Sequence, residues 1–185
     1  QFVAGRAGHS GEHADGALAV RDDQGATYPA DVVVRAIGLR PRTALATDAG
    51  LDTARGIATD RYLVTSADGI HALGDCAEVD GVVLPFVMPL NQCARALGAT
   101  LAGAPTAVEY PVMPVIAKTS CCPVQLYQPP KHVSGRWSEE AIEGGTRSLF
   151  YDAADNLRGF CLTGSGVREK GHWSAQVPPV FDNRA

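Results

Sequence analysis

The sequence predicts an α/β chain that ends in a small α+β module, and three observations support this class. Short apolar segments typical of strands alternate with loops over the first hundred or so residues. Residues 90–102 carry the periodicity of an amphipathic helix. After Pro105 the pattern changes to short strand-like runs and a hairpin, so we place a module boundary near Ala107.

The first elements predicted along the chain form a β-hairpin over residues 16–37. Residues 17–20 are one arm, and residues 22–25 form a turn in which Gly25 can take a positive φ. The second arm is the run at 32–37, whose nearly continuous apolar character predicts a strand buried on both faces. Arg35 interrupts this run and needs an edge or a partner there.

A short helix is predicted next, over residues 44–49, with Thr43 as its N-cap and Gly50 at its end. Turn residues and short strands follow at 56–57, 62–65 and 70–73, the last one stopping at Gly74.

The helix over 90–102 is the clearest element of the sequence. Pro89 lies near its start, where a missing N–H is harmless, and Gly103 follows its end. Apolar residues recur at helical spacing on the face predicted to be buried: Leu90, Cys93, Ala94, Leu97 and Leu101.

The C-terminal module is predicted to be mostly β. Strands are expected over 112–118 and 124–127, followed by a loop at 129–131. Residues 147–151 and 157–162 predict a hairpin. A helix is expected over 166–176, although Gly171 weakens it.

Composition excludes several classes of protein. The chain has 185 residues, of which 45% are hydrophobic and 19% charged, with a formal net charge of −4. This balance favours folded domains over disorder and offers no attraction to nucleic acid. The most apolar run, residues 81–90, is shorter than the ~18 residues of a membrane span. No signal peptide is recognisable, and because residue 1 is Gln we expect a cut chain or part of a longer one.

The five cysteines do not form a recognisable metal or disulfide framework. Their number is odd, no CxxC motif occurs, and Cys121 and Cys122 are adjacent. We therefore expect reduced, mostly buried thiols in a cytoplasmic protein and no metal site. A catalytic role for the adjacent pair is not expected, because a disulfide between neighbours is strained.

The stretch from Gly56 to Glu78 is the most informative for function. It leads to Gly74 and Asp75 after a predicted strand, a position that suits a ligand pocket in an α/β sheet. Glycine permits close approach of a ligand, and the carboxylate can accept hydrogen bonds from hydroxyl groups. The dipeptide alone favours a simple turn after a strand, with Asp75 as an Asx-turn former, and it is the whole stretch that favours a ligand contact. His71, within the strand, is predicted to be structural.

Three stretches of the chain, residues 32–51, 56–81 and 83–103, resemble the rubredoxin reductases and their flavorubredoxin reductase relatives. These are flavoproteins with two dinucleotide-binding domains. A weaker similarity at 113–123 and a hairpin at 148–164 match the small C-terminal module of that family. The resemblance fades over 126–145 and beyond Val167.

The resemblance implies a division of the chain into three parts. Residues 1–37 would end an NADH-binding domain, and residues 38–108 would form the second segment of the FAD-binding domain. Residues 109–185 would form the module that helps dock rubredoxin. The family passes electrons from NADH through FAD to rubredoxin, with flavorubredoxin or a ferredoxin as alternative acceptors.

The resemblance also implies four cofactor-binding residues. Asp75 would hold the ribityl hydroxyls of FAD, and Gly74 beside it would let the cofactor approach the backbone closely. Val87 would offer its backbone N–H to the isoalloxazine carbonyl. Lys118 would lie near the flavin ring. A helix N-terminus and an ammonium group would both stabilise reduced flavin. No catalytic side chain is predicted, because the flavin carries the redox chemistry. The alternatives are a core role for Val87 and a surface ion pair for Lys118.

The GxGxxG fingerprint of dinucleotide-binding folds is absent from the sequence. Gly164 and Gly166 are followed by Glu169 where the third glycine belongs. We therefore expect that the chain alone neither holds FAD tightly nor oxidises NADH, and that a missing N-terminal half carries these motifs. Half of a parallel sheet would leave an open edge, so aggregation or pairing with a complementary half is expected.

Two further hypotheses stay open, together with the nature of the docking surface. The chain could be a cofactor-free interaction module, or a flavin-free nicotinamide-dependent dehydrogenase, although the missing fingerprint disfavours the latter. Arg40 and Arg42 either meet a cofactor phosphate or an acidic partner, or belong to a solvated loop. Acidic rubredoxin would favour a basic docking patch, with candidates by composition only: Arg136, Arg147, Arg158, Arg168 and Lys170.

Overall fold

The computed structural model describes residue 5 and residues 7–14, 17–117 and 119–182. These residues fall into two compact units, one up to Leu39 and one from Arg40 onward. None of the helices within the described ranges is both long enough and apolar enough to cross a bilayer.

The first unit is a three-stranded antiparallel sheet of β1 (Gly8–Ala14), β2 (Ala17–Asp22) and β3 (Thr27–Ala30), in that order. The predicted first arm and its turn are confirmed. Asp22 organises the turn, because its carboxylate accepts the N–H groups of Gln24 and Ala26 at 3.0 and 2.8 Å. Gly25 has a φ of +86°, as the turn requires.

The predicted second arm of this hairpin is wrong. The partner of β2 is β3, and the apolar run at 32–37 forms no strand. Its side chains are exposed, with Val34 at 81% and Ile37 at 74%. A strand buried on both faces needs hydrogen-bonded neighbours, and no described strand pairs with this run. The exposed run gives the isolated chain an apolar surface for association.

The second unit begins with helix α1 (Ala44–Asp48) and a two-stranded parallel sheet of β4 (Ile57–Thr59) and β5 (Ala77–Val79). The short helix is confirmed, although Thr43 caps it without a side-chain hydrogen bond. The strands predicted at 62–65 and 70–73 are wrong, because only one isolated bridge, between Val64 and His71, joins these segments. Both lie outside the named strands, and Leu63, in the first segment, is fully buried.

Helix α2 (Val87–Leu101) confirms the clearest predicted element and starts three residues earlier than expected. Its buried face differs from the predicted one. Pro89, Cys93 and Ala96 are buried, whereas Ala94 is exposed and Leu101 is 69% exposed. The helix packs one narrow stripe against the core, so the outer apolar positions remain at the surface.

The C-terminal part is a five-stranded antiparallel sheet in the order β6-β7-β10-β9-β8. The strands and the helix that follows them have these bounds: β6 Val115–Ala117, β7 Val124–Tyr127, β8 Gly135–Ile142, β9 Gly145–Asp152, β10 Leu157–Gly164 and α3 Lys170–Ser174.

The sequence prediction identified β7 and the β9–β10 hairpin correctly and missed β8. That edge strand exposes nearly every side chain, so it lacks the alternation of apolar and polar residues that marks a half-buried strand. The predicted helix at 166–176 is only partly present. A 3₁₀ turn occupies Ser165–Glu169, and only the five residues of α3 are α-helical.

Two apolar clusters hold the second unit together, and the C-terminal tail contacts both. Leu63, Val79 and Val108 centre one cluster, while Phe160 and Leu162 centre the other within the sheet. Val177 belongs to the sheet cluster. Phe181 packs on the first cluster, where its ring stacks on Tyr110 at a centroid distance of 5.0 Å.

The β9–β10 turn is organised by the carboxylate of Asp152. It accepts the N–H groups of Ala154 and Asn156, both at 2.9 Å, and the Nε of Arg158 at 2.7 Å. The Arg158 hydrogen bond, followed by those from Asn156, holds the pKa of Asp152 well below its usual range. The charged form of this carboxylate therefore stabilises the hairpin.

Replacing Gly56 by alanine should weaken the β4–β5 pair. A Cβ there would lie 2.8 Å from the Cys76 carbonyl oxygen and 2.9 Å from the Glu78 nitrogen, so backbone must move. We expect Gly56→Ala to lower the free energy of unfolding by about 1–3 kcal/mol in urea titrations followed by tryptophan fluorescence. Gly98→Ala is the control: it meets open space on α2 and should stabilise by about 0.5–1 kcal/mol. Equal effects would contradict the close approach.

The stability of the second unit should fall with acid as Asp152 becomes protonated. Because its folded pKa is lowered, its contribution is present above the usual aspartate pKa of about 3.9 and is lost as pH falls below that value. Asp152→Asn should lower stability at neutral pH and flatten its decline between about pH 5 and 2. Asp68→Asn, which changes an exposed aspartate of the same unit that has no ion pair among the described residues, should leave the decline unchanged. A parental slope in Asp152→Asn would contradict this assignment.

Candidate functional site

The site begins with the close approach of Gly56 to β5. Glu78 reinforces it from β5, because its Oε2 accepts the N–H groups of Arg55 at 2.8 Å and Gly56 at 2.9 Å. These contacts hold the start of β4 against β5 and thereby position the turn that precedes β5. Neither residue has a role predicted from the sequence, although a glycine before an apolar run is a signal of close backbone approach.

Gly74 lies in a 3₁₀ turn, Gly74–Cys76, that precedes β5. The expected placement at the carboxyl end of a strand is therefore wrong, because residue 73 is extended but pairs in no sheet. The φ of Gly74 is +84°, which favours glycine. A Cβ on Gly74 would lie 3.2 Å from Cδ1 of Leu90, so the turn packs closely against the first turns of α2.

Asp75 is exposed at the surface of this turn. Within the described part of the chain its carboxylate has no hydrogen bond or ion pair. The turn is stabilised by a hydrogen bond that the Sγ of Cys76 donates to the Leu73 carbonyl oxygen at 3.5 Å. The carboxylate is therefore available to accept hydrogen bonds from a hydroxyl-bearing ligand.

The N-terminus of α2 lies beside the same turn. Its N-cap residue, Phe86, is extended and makes no side-chain capping hydrogen bond. Helix geometry leaves the N–H groups of the first turn without intrahelical partners, which concentrates about half a positive charge there. Val87, the first residue of α2, is 68% exposed, so its side chain is not part of either apolar cluster of the described residues.

The structure thus brings three of the four predicted residues, Gly74, Asp75 and Val87, to one place, which we call the corner. The contact between Gly74 and Leu90 joins the turn bearing Asp75 to the helix that begins at Val87. Lys118 lies outside the described residues. A carboxylate that accepts hydroxyl donors, next to a helix N-terminus that stabilises negative charge, can hold a polyol attached to an electron-rich ring.

The proposed basic docking patch loses most of its charge to ion pairs. Arg136 pairs with Asp155 at 2.9 Å, and Arg158 pairs with Asp152 at 2.7 Å. Arg147 contacts both Glu140 and Glu169, at 2.6 and 2.8 Å.

The Arg147 cluster also includes Trp173, whose Nε1 donates to Glu169 at 2.7 Å. The hydrogen bonds from Arg147 and then Trp173 hold the pKa of Glu169 below its usual range. Of the five basic candidates, only Arg168 and Lys170 have no carboxylate partner within the described ranges.

Comparison with known families assigns the chain to a class. Residues 3–103 match the family of pyridine nucleotide-disulphide oxidoreductases, which covers more than half of the sequence. The chain therefore belongs to that family. Residues 107–177 match a second family, the rubredoxin binding C-terminal domain. The structural relatives of the chain include FAD-dependent oxidoreductases, so the predicted fold class, an α/β segment of a two-domain flavoprotein with an α+β module, is confirmed.

Two curated relatives show which member of the class the chain is similar to. The rubredoxin-NAD(+) reductase of Alcanivorax borkumensis is 47% identical over 98% of this chain and 48% of its own length. The enzyme of the same name from Acinetobacter baylyi is 48% identical over 76% of this chain and 36% of its own length. The chain thus spans half or less of these relatives.

A solved structure supports the same fold. The ferredoxin reductase of Rhodopseudomonas palustris superposes with a TM-score of 0.73 at 25% identity. The match covers 86% of this chain and 41% of that protein.

Proposed function

We propose that this chain forms the C-terminal half of an FAD-dependent reductase that passes electrons from NADH to rubredoxin. The observation that carries the proposal is the corner where the open carboxylate of Asp75 lies beside the uncapped start of α2. Its features fit one end of a flavin: hydrogen-bond acceptance for a polyol and partial positive charge for a ring that gains electrons. The similarity to the two curated reductases supports the choice of substrates.

Each residue of the corner has a distinct role in this proposal. FAD supplies the hydride and single-electron chemistry when bound. Asp75 accepts hydrogen bonds from the ribityl hydroxyls. Gly74 has no side chain and so leaves room for the ribityl chain to pass close to the backbone. The N–H of Val87 donates to the isoalloxazine carbonyl nearest the helix. A role for Lys118 near the ring remains a prediction.

The other parts of the chain have matching assignments. Residues 1–37 end the NADH-binding domain, residues 38–108 complete the FAD-binding domain, and residues 109–185 help to form the rubredoxin-docking face. The match to the rubredoxin binding domain supports the last assignment. Because the chain lacks GxGxxG, the adenosine part of FAD and NADH would bind to an N-terminal half. A cytoplasmic location also remains a prediction.

The role of Asp75 can be tested in the chain itself and in a chimera. After unbound FAD is removed by gel filtration, the chain alone should carry no flavin absorption, whereas a chimera that places the remaining half of the Alcanivorax relative before it should retain flavin and its visible absorption. Asp75→Ala should weaken FAD binding by the chimera roughly tenfold, because one or two charge-assisted hydrogen bonds are lost. Asp68→Ala, an exposed carboxylate outside the corner, is the matched control.

Two results would contradict this assignment. Tight FAD binding by the chain alone would show that a half-site suffices. Equal FAD affinity of the Asp75→Ala and Asp68→Ala chimeras would remove Asp75 from the site. Reduction of rubredoxin but not of ferredoxin by the parent chimera would identify the acceptor.

The backbone role of Val87 can be tested with proline, which removes one N–H. Proline is favoured at the first position of a helix, and the extended Phe86 before it has the backbone conformation that proline requires. In the chimera, Val87→Pro should lower the two-electron midpoint potential of the flavin by roughly 20 mV, which corresponds to about 1 kcal/mol for one hydrogen bond. Val87→Ala keeps the N–H and should keep the potential. A lowered potential in both variants would assign the effect to the side chain.

A further inference from the structure

The second unit contains a groove of about 550 Å³ between the segment that precedes α2 and the C-terminal sheet. Its floor is formed by Val115 and Leu126, which face each other across β6 and β7. Leu84, Phe86 and Pro129 also line it. The volume lies within the range of small-molecule sites, and most of the lining is apolar.

The groove is separate from the corner described above. Gly74, Asp75 and Val87 are not among the described residues that line it, whereas Phe86, the residue before α2, does line it. Side chains of β6 point alternately to opposite faces of the strand, which also separates the groove from the corner in part. Val115 faces the groove, while the next residue, Ile116, is 57% exposed and does not line it. Nothing in the proposed flavin role uses this groove.

Charge around the groove is one-sided. Arg55 and Lys131 line it, and none of the described residues that line it is Asp or Glu. This contrasts with the formal net charge of −4 for the whole chain. Glu78 lies next to Arg55. One of its carboxylate oxygens accepts hydrogen bonds from the backbone N–H groups of Arg55 and Gly56.

We propose that this groove binds an apolar monoanion: a carboxylate or sulfonate on an aromatic or aliphatic body. The body would lie on Val115 and Leu126, and the acidic group would lie towards Arg55 and Lys131. An apolar floor excludes a strongly hydrated anion such as phosphate, because burial of a second charge would be costly. The basic lining disfavours cations, since like charges repel at close range.

The proposal can be tested with two fluorescent probes that differ in charge. One is 8-anilinonaphthalene-1-sulfonate, which is anionic, and the other is N-phenyl-1-naphthylamine, which has a similar aromatic body without the sulfonate. Both are titrated into the full chain under native conditions. We expect saturable binding of both probes, with the anionic probe bound more tightly at low salt and losing that advantage as salt rises.

Two pairs of variants locate the binding. Val115→Asp places a carboxylate on the groove floor, and Ile116→Asp places the same charge on the same exposed strand outside the groove. Lys131→Ala removes a cation from the groove, and Lys170→Ala removes one elsewhere. All four positions are exposed, so the fold should tolerate these changes.

The expected results are specific to each probe. Val115→Asp should weaken binding of the anionic probe at least tenfold, and Ile116→Asp should not. Lys131→Ala should weaken it roughly two- to fivefold while leaving the uncharged probe unchanged, and Lys170→Ala should affect neither. Equal binding by Val115→Asp and Ile116→Asp would overturn the site. An unchanged affinity in Lys131→Ala and in Arg55→Ala would overturn the anionic class of ligand.

A last arm separates the groove from the flavin role. FAD added to the probe-bound chimera should leave the probe in place if the groove is an independent site. Displacement of the probe in proportion to flavin binding would overturn the proposal of a separate site, while leaving the flavin role of Asp75 intact.

Discussion

The close approach of Gly56 to β5 is the constraint on which the rest of the candidate site depends. Only a residue without a Cβ allows the start of β4 to lie this close to the backbone of Cys76 and Glu78. The carboxylate of Glu78 then satisfies two N–H groups that this approach leaves without strand partners. With β5 held in this way, the turn before it is held as well.

The same chain of contacts connects the turn to the helix. Gly74 permits the turn to pack on Leu90, and Leu90 belongs to the first turns of α2. Gly56 and Gly74 therefore bring an exposed carboxylate close to an uncapped helix start. Neither glycine has a side chain that could contact a ligand. This arrangement separates the residues that shape the corner from those that would contact a ligand, Asp75 and the backbone of Val87.

Charge in the C-terminal sheet has a largely structural use. Arg147 bridges Glu140 on β8 and Glu169 before α3, and its guanidinium lies 5.3 Å from the centre of the Trp173 ring. Arg158 completes the β9–β10 turn through Asp152. The carboxylate partners of these arginines come from other secondary-structure elements, so a count of basic residues overestimates the positive potential that a docking protein would meet. The one-sided charge of the groove, in contrast, arises because residues distant in the sequence converge there.

The sequence by itself determined the elements whose signals are local. The periodicity of α2 and the turn residues of the β9–β10 hairpin depend on neighbouring residues, and the predictions from them placed a real helix and a real hairpin. The Gly74–Asp75 dipeptide correctly marked a turn, but not the strand expected before it. The resemblance of long stretches to one flavoprotein family added the identity of the class. Only the tertiary structure decided which apolar segments are buried and which charges are paired. The run at 32–37 is apolar yet exposed, and β8 is polar yet a strand, because burial and strand pairing depend on partners far away in the chain.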